Sequence, residues 1–283
     1  MKKLNTNLIL TILFSIICIF HMYPVMMILF NSLKKESAIS TSTVFELPTA
    51  ETFNGLSNYV NAIDAQGFLW SLFYSVIITV SSVALILVCC SMCAWYISRV
   101  NSWLSKLIYA MCAFSMVAPF QLVMFTLSQT ADRFHVGMLR FNSPYTICFI
   151  YLGFGAGLAV FMFSAFMKSI PVEMEEAAMI DGCNPFQTFF KIVFPVLKPS
   201  MISIGVLETM WIWNDYLLPT LVLDIKQYKT IPMLIQYFRG SYGSVQMGPM
   251  MACVVLTIVP VIIIYLIGQK HIIKSIVSGA VKG

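Results

Sequence analysis

The segment Pro171–Ser200, PVEMEEAAMIDGCNPFQTFFKIVFPVLKPS, differs sharply from the chain around it. Four of the chain's twelve acidic residues lie within nine positions of it, from Glu173 to Asp181. A glycine follows the acidic run, and a phenylalanine-rich run then leads to two prolines. We refer to Pro171–Ser200 as the acidic loop. Because its surroundings are strongly apolar, the acidic loop predicts a structured surface segment between buried helices.

The acidic loop predicts two short helices joined by a tight turn. Pro171 suits the first turn of a helix, where a missing N–H costs nothing, and acidic side chains in the early turns are favoured by the helix dipole. Gly182 stands where a glycine ends a helix. Asn184 and Pro185 are typical of the N-cap and first position of a second helix. That helix is expected to carry four apolar side chains towards one face, namely Phe186, Phe189, Phe190 and Val193.

Composition places the rest of the chain in a membrane. Hydrophobic residues make up 59% of the sequence and charged residues 10%, whereas soluble domains carry about 25% charged residues. Several apolar runs reach the roughly 20 residues of a transmembrane helix. The sequence predicts an all-α polytopic membrane protein, a single domain over residues 1–283 with six transmembrane helices. The expected spans are 8–30, 72–97, 107–127, 145–166, 202–223 and 250–269.

The first apolar run follows Lys2 and Lys3, as in a signal peptide. It continues to Phe30, which is too long for a signal-peptide core, and it contains no small-residue cleavage site. We therefore expect a retained helix.

The distribution of basic residues predicts that both termini are cytoplasmic. With that orientation, ten Lys and Arg residues lie on the inner side and seven on the outer side, as the positive-inside rule requires. The net charge of +5 fits this bias and gives no reason to expect nucleic acid as a partner.

Several motifs are better explained by helix packing than by chemistry. Cys89, Cys90 and Cys93 lie in the middle of an apolar run, so we interpret them as small packing residues rather than metal ligands. Gly153 and Gly157 form a GxxxG pair, which allows two helices to approach closely. The sequence contains no GxxxxGK[ST] motif for ATP and no catalytic or metal-ligand set.

A polar and aromatic cluster in the fifth predicted span is a candidate substrate pathway. Its ring faces and hydrogen-bonding groups suit sugar hydroxyls, and an aromatic belt with a helix-end cap is the alternative interpretation. Its members are Trp211, Trp213, Asn214, Asp215 and Tyr216. Glu208 is an ionisable residue within the same span, which predicts either a pathway residue or a contact that holds two helices together.

The acidic charge of the loop favours a protein partner. An amphipathic helix on the lipid surface is the alternative, but such helices carry Lys and Arg, whereas the first helix here carries four acids and no base.

The acidic loop resembles the EAA loop of permease subunits in ATP-binding-cassette importers. The similarity lies in Glu176-Ala177-Ala178, Gly182, Ile192 and Pro195. Phe194 replaces the usual leucine before the proline. Two further segments are similar to carbohydrate permeases, WNDYLLPTLVL (213–223) and TIPMLIQYF (230–238). The ending GQKHIIKSIVSGAVKG (268–283) resembles the second permease of maltose- and oligosaccharide-type importers.

The resemblance implies a type I importer permease fold in the bacterial cytoplasmic membrane. The implied partners are a second homologous permease, two ATPase subunits that bind ATP and Mg²⁺, an extracytoplasmic sugar-binding protein and membrane lipid. The chain itself is expected to hold no cofactor and to be no enzyme. A permease for a non-sugar solute and a secondary transporter remain the alternatives.

The resemblance also assigns residues to partners. The coupling loop is expected over 168–200, the outer loop over 224–247 and a cytoplasmic tail over 270–283. ATPase docking is expected at Glu175, Glu176, Ala177, Ala178, Asp181 and Gly182. Contact with the binding protein is expected at Tyr237, Arg239, Gly240, Ser241 and Tyr242.

Overall fold

The computed structural model describes residues 6–64, 67–136, 139–238 and 246–280. Fourteen α-helices account for most of this part of the chain. They are α1 (Thr6–Ser32), α2 (Glu36–Thr41), α3 (Ser57–Asp64), α4 (Phe68–Arg99), α5 (Trp103–Val117), α6 (Met124–Arg133), α7 (Ile147–Met167), α8 (Glu173–Ile180), α9 (Pro185–Thr188), α10 (Phe194–Val196), α11 (Lys198–Asn214), α12 (Leu217–Val222), α13 (Ile231–Tyr237) and α14 (Met247–Ala280). A 3₁₀ turn covers Phe120–Leu122, a π-helix covers Phe189–Val193, and a small antiparallel hairpin pairs His135–Val136 with Leu139–Arg140.

The predicted all-α membrane class is confirmed. Four helices of the described residues are long and apolar enough to cross a membrane, and they correspond to α1, α4, α7 and the first part of α14. A bent pair of helices, Pro185–Val196 and Lys198–Asn214, supplies a fifth candidate with a bend of 76°. The remaining predicted span contains α5, which has only 15 residues. The count of six spans therefore stays a prediction.

Two predicted spans are interrupted where the sequence analysis expected continuous helices. The span 107–127 is broken after Val117, because Ala118 and Pro119 adopt extended backbone angles. The span 202–223 is broken after Asn214, where Asp215 is extended with ψ of 121°. Both breaks end one helix and start another within the apolar stretch.

One compact unit comprises the described parts of residues 1–69 and 234–260. Asn58 of α3 connects this helix to the end of α1, because the Asn58 amide donates hydrogen bonds to the carbonyls of Ser32 (2.8 Å) and Lys34 (2.7 Å). The Glu36 carboxylate accepts hydrogen bonds from the backbone N–H groups of Met247 (2.9 Å) and Gly248 (2.8 Å). These N–H groups lie in the first turn of α14, where they have no partner within the helix.

The other compact unit comprises the described parts of residues 70–233 and 261–283. Its core includes fully buried Tyr151 and Phe163 of α7. Helix α7 packs closely on α5 at Gly157, where an added Cβ would lie 2.8 Å from the Cys112 carbonyl oxygen. Around Gly153, the other half of the predicted GxxxG pair, no atom of the described residues lies within 4 Å of such a Cβ. The prediction of close helix packing is thus confirmed at Gly157 and wrong at Gly153.

Candidate functional site

The first helix of the acidic loop ends as predicted. Helix α8 finishes at Ile180 and Gly182 follows with φ of +85°, a left-handed conformation. The Gly182 N–H donates to the Met179 carbonyl and the Cys183 N–H donates to the Ala178 carbonyl, both at 3.0 Å. This pair of hydrogen bonds is the Schellman motif, which glycine favours because it has no Cβ.

The start of the second helix is also confirmed. The Asn184 side chain accepts a hydrogen bond from the Gln187 N–H, and the Gln187 side chain accepts one from the Asn184 N–H, each at 2.9 Å. Pro185 occupies the first turn. These reciprocal bonds form a capping box, so the direction of the chain after the turn is well determined.

The expected apolar face of the second helix is only half correct. Phe189 and Val193 are buried, whereas Phe186 and Phe190 are 67% and 45% exposed. The π-helix over Phe189–Val193 changes the angular spacing of these side chains, so the four residues do not share one face.

Glu175 joins α8 to the end of α4. Its Oε1 accepts hydrogen bonds from Arg99 Nε (3.0 Å) and Nη2 (2.8 Å), and its Oε2 accepts one from the Trp95 indole N–H (2.9 Å). Arg99 Nη2 also donates to the Ile170 carbonyl at 3.0 Å. The charges therefore compensate each other and their hydrogen-bonding capacity is largely used, as a buried ion pair requires.

This arrangement corrects part of the expected docking set. Glu175 is 2% exposed and Ala178 is 6% exposed, so both face the interior of the subunit. They lie three residues apart on one face of α8, the spacing at which helical neighbours meet the same surface. Glu176, Ala177, Asp181 and Gly182 remain exposed.

Three apolar side chains stand out from the turn of the acidic loop, and the sequence analysis did not select them as docking residues. Met179 is 52% exposed, Ile180 is 85% exposed and Phe186 is 67% exposed. We call these three residues the apolar tip. Exposed apolar groups beside Glu176 and Asp181 give this surface the mixed character of a protein interface. The sequence did contain a signal for these docking candidates, because all three lie within four positions of the turn glycine Gly182.

The candidate pathway cluster is divided by the break after Asn214. Asp215 accepts hydrogen bonds from the N–H groups of Leu217 (2.9 Å) and Leu218 (3.3 Å), and from the Tyr151 hydroxyl (3.0 Å). It thereby caps α12 and fixes it to α7. Trp211 meets Tyr151 edge to face with ring centroids 5.5 Å apart.

Trp211 and Asp215 line one cavity of about 210 Å³. The other lining residues are Phe120, Gln121, Phe154, Leu217 and Leu218. Trp213 is buried, whereas Asn214 and Tyr216 are exposed, and none of the three lines this cavity. The structure therefore brings two of the cluster's five residues together, along with Gln121 and two phenylalanines that the sequence analysis did not single out.

Glu208 lies at a junction of helices and does not line that cavity. It is 2% exposed, and its Oε2 has no hydrogen-bond partner in the described part of the chain. A Cβ added to Gly155 of α7 would lie 3.0 Å from this oxygen and 2.7 Å from Ile86 of α4. Of the two alternatives for Glu208, this position favours a role in the packing of α11 against α7.

The expected binding-protein contacts cannot be placed. Arg239, Gly240, Ser241 and Tyr242 lie outside the described residues, as does the side chain of Tyr237. The final Val281-Lys282-Gly283 of the expected tail and Lys2 and Lys3 at the start also lie outside them.

The described residues form a predominantly helical membrane chain, and its acidic loop exposes apolar side chains at a tight turn. The chain belongs to the family of inner membrane components of binding-protein-dependent transport systems, whose family model matches residues 86–278. It is 36% identical to the probable starch degradation products transport system permease protein AmyC of Thermoanaerobacterium thermosulfurigenes, over 100% of both chains.

Solved structures share the fold. A chain of a bacterial transporter that imports the acidic polysaccharide alginate superimposes with a TM-score of 0.73 at 23% identity, covering 94% of this chain and 95% of that chain. A second alginate transporter structure, in complex with a periplasmic protein that carries an alginate pentasaccharide, gives a TM-score of 0.66 at 17% identity, with 93% of each chain covered. The importer permease fold implied by the sequence is confirmed.

Proposed function

We propose that this chain is the permease subunit of an ATP-driven importer for sugars or oligosaccharides, and that the acidic loop couples it to the ATPase. The observation that carries the proposal is the contrast within α8. Its inner face is fixed to α4 through Glu175 and Arg99, and its outer end exposes Met179 and Ile180 of the apolar tip. A segment anchored at one side and exposed at the other is suited to receive a partner's movement and pass it on.

Docking is assigned to the exposed part of the loop. Ile180 and Phe186 of the apolar tip would enter a cleft of the ATPase, and Glu176 and Asp181 would form polar contacts at its rim. Exposed apolar side chains of this size typically become the buried anchors of an interface, with polar groups around them. ATP and Mg²⁺ would be bound by the two ATPase subunits, because this chain lacks a P-loop; the chain itself would be a non-catalytic transport subunit.

Coupling would proceed through the ion pair. Movement of the docked loop would pull on Glu175, and Arg99 would transmit that movement to the end of the 32-residue helix α4. A rigid-body shift of this kind needs different contacts in two states. Binding of ATP by the partners would supply that difference.

The sugar pathway would be shared with a second permease. The cavity beside Trp211 and Asp215 has about 210 Å³, which is below the roughly 300–1,000 Å³ of complete small-molecule sites. Its carboxylate and aromatic walls suit a sugar ring, so it would form one part of a larger site. The substrate class rests on the names of relatives such as AmyC.

The remaining partners follow from the same reasoning. The outer loop over 224–247, including Tyr237, Arg239, Gly240, Ser241 and Tyr242, would contact an extracytoplasmic sugar-binding protein. Both termini and the acidic loop would lie on the cytoplasmic side of a bacterial cell membrane. The excess of ten basic residues over seven supports this orientation.

Affinity purification of the tagged chain from its native membrane tests the proposal. We expect a complex with a second permease and ATPase subunits, whose ATPase activity rises with the sugar-loaded binding protein. Ile180→Asp should release the ATPase subunits but keep the second permease, because it would place a charge at the docked surface. A matched change on an exposed apolar residue of the outer loop, Ile225→Asp (44% exposed), adds the same charge on what would be the opposite side of the membrane and is expected to keep the ATPase. Solute uptake by the chain without an ATPase would contradict the proposal.

A further inference from the structure

A cavity of about 720 Å³ opens where α4 and α7 end and α5 begins. Its polar lining comes from all three helices and the residues that follow them, and it includes Arg99, Asn101, Lys106, Tyr109 and Lys168. We call it the basic cavity. It lies at the same end of these helices as α8, since Arg99 is also the partner of Glu175.

The basic cavity carries a net positive charge. The charge of Arg99 is balanced by Glu175 at 2.8 Å. Lys106 and Lys168 are exposed, and neither forms an ion pair with a described carboxylate. The N-terminus of α5 adds the positive end of a 15-residue helix dipole. Two uncompensated lysines and a helix dipole directed at one cavity favour an anionic ligand.

Neutral polar side chains complete the wall of the basic cavity. Asn101 and Tyr109 line it, and both residues are exposed. An amide N–H and a phenol hydroxyl can each donate a hydrogen bond to an anionic oxygen within the cavity.

We propose that the basic cavity binds a phosphate-bearing anion. Lysine ammonium groups form charge-assisted hydrogen bonds with phosphate oxygens, and hydroxyl and amide groups donate to them as well. Ile97 and Phe161 add apolar walls beside the polar ones, which a glycerol backbone and acyl chain would contact. Basic pockets between transmembrane helices bind anionic headgroups. A headgroup from the adjacent leaflet and a soluble phosphate share this chemistry. The proposal requires only that the chain lies in a membrane, so it stands independently of ATPase docking and of the sugar.

Binding to the delipidated complex tests this proposal. The probes are dihexanoyl-phosphatidylglycerol, inorganic phosphate and zwitterionic dihexanoyl-phosphatidylcholine, each measured by calorimetry and by the shift in Tm. We expect the glycerol lipid to bind and the choline lipid to bind much more weakly. The double variant Lys106→Gln/Lys168→Gln should raise the Kd for the glycerol lipid roughly 30-fold.

Two further variants define the site. Tyr109→Phe removes one donor from an exposed residue that lines the cavity, so it should keep the fold and raise the Kd about tenfold. The double variant Lys35→Gln/Lys226→Gln removes the same charge at exposed positions outside the cavity and should leave the Kd unchanged. Binding of inorganic phosphate in place of the lipid, with the same response to the variants, would identify a soluble phosphate as the ligand. Absence of binding by both anions, or equal weakening by the two double variants, would overturn the proposal.

Discussion

Arg99 and Glu175 form an ion pair withdrawn from solvent, with side chains 18% and 3% exposed. Removing two charges from water is costly, and their attraction compensates only when the remaining hydrogen-bonding groups are also satisfied. Here Trp95 donates a hydrogen bond to Glu175, and the Ile170 carbonyl accepts one from Arg99. The loss of one partner would leave the other charge uncompensated, which typically costs about 3–5 kcal/mol. The attachment of α8 to α4 therefore depends on both residues.

Glu175→Gln is expected to lower the free energy of unfolding of the complex by about 3 kcal/mol and to reduce transport per ATP hydrolysed. Thermal unfolding and uptake by reconstituted complex measure the two effects. Glu176→Gln is the matched control, because Glu176 is exposed on the same helix, and it should leave the unfolding free energy nearly unchanged.

A double-mutant cycle with Glu175→Gln and Arg99→Gln distinguishes loss of the ion pair from a general destabilisation of the fold. The double variant should be more stable than the sum of the two single changes predicts, because no charge remains unpaired. Purely additive effects would contradict a direct coupling between the two residues.

Gly182, Asn184 and Pro185 were predictable from sequence because their roles depend on adjacent backbone atoms. The Schellman turn and the capping box involve residues no more than five positions apart. The inward direction of Glu175 was not predictable in this way, since its partner Arg99 is 76 positions away. The acids Glu173, Glu175 and Glu176 are alike in sequence, and only the packing of α8 on α4 distinguishes Glu175 from the other two.

Among the contacts between helices, that between α5 and α7 is the one that a single substitution tests most directly. Gly157 brings the two backbones together, with a hypothetical Cβ 2.6 Å from Met116 Cγ and 2.8 Å from the Cys112 carbonyl oxygen. A backbone atom cannot move aside as a side chain can. The helices must therefore separate if any larger residue is introduced.

Gly157→Ala is expected to destabilise the purified complex by about 1–3 kcal/mol, the usual cost of overpacking. Gly153→Ala is the control, because it adds the same methyl group four residues away in open space. A lower Tm for the Gly157 variant alone would support the helix contact. Equal Tm values for both variants would show that α5 and α7 are not held together at Gly157.

Helix locations followed from the sequence more reliably than helix breaks. Apolar length located α1, α4 and α7 to within about four residues of their observed ends. The break after Asn214 was missed because Asp215 obtains its partners from the later residues Leu217 and Leu218 and from Tyr151 of another helix. The π-helix over Phe189–Val193 was missed for a similar reason. Its irregular turn goes with the burial of Phe189 and Val193, which depends on the rest of the fold and not on the local sequence.

At the scale of the whole molecule, the exposed apolar surfaces indicate a subunit of a larger assembly. None of the residues in the apolar window of α1 is buried within the chain, as suits a helix covered by lipid or by a second permease. The apolar tip, in contrast, lies next to charged Glu176 and Asp181. Apolar groups surrounded by charge are typical of a protein interface, which agrees with the proposed docking of the ATPase at this surface.

Gly182 provides the most direct test of coupling through the acidic loop. Its φ of +85° is unfavourable for most side chains, although no atom of the described residues lies within 4 Å of an added Cβ. Gly182→Leu should cost roughly 1–2 kcal/mol in this region of backbone space and place a branched side chain beside the apolar tip. Gly182→Asn is the matched control, because asparagine tolerates the left-handed conformation.

The decisive measurement is sugar uptake together with binding-protein-stimulated ATPase activity in reconstituted complex carrying each Gly182 variant. We predict that Gly182→Leu inserts and assembles with the second permease but loses sugar uptake relative to ATP hydrolysis, while Gly182→Asn retains most of both. Wild-type values of uptake and ATPase activity for Gly182→Leu would contradict the account, because the acidic loop would then be only a surface turn.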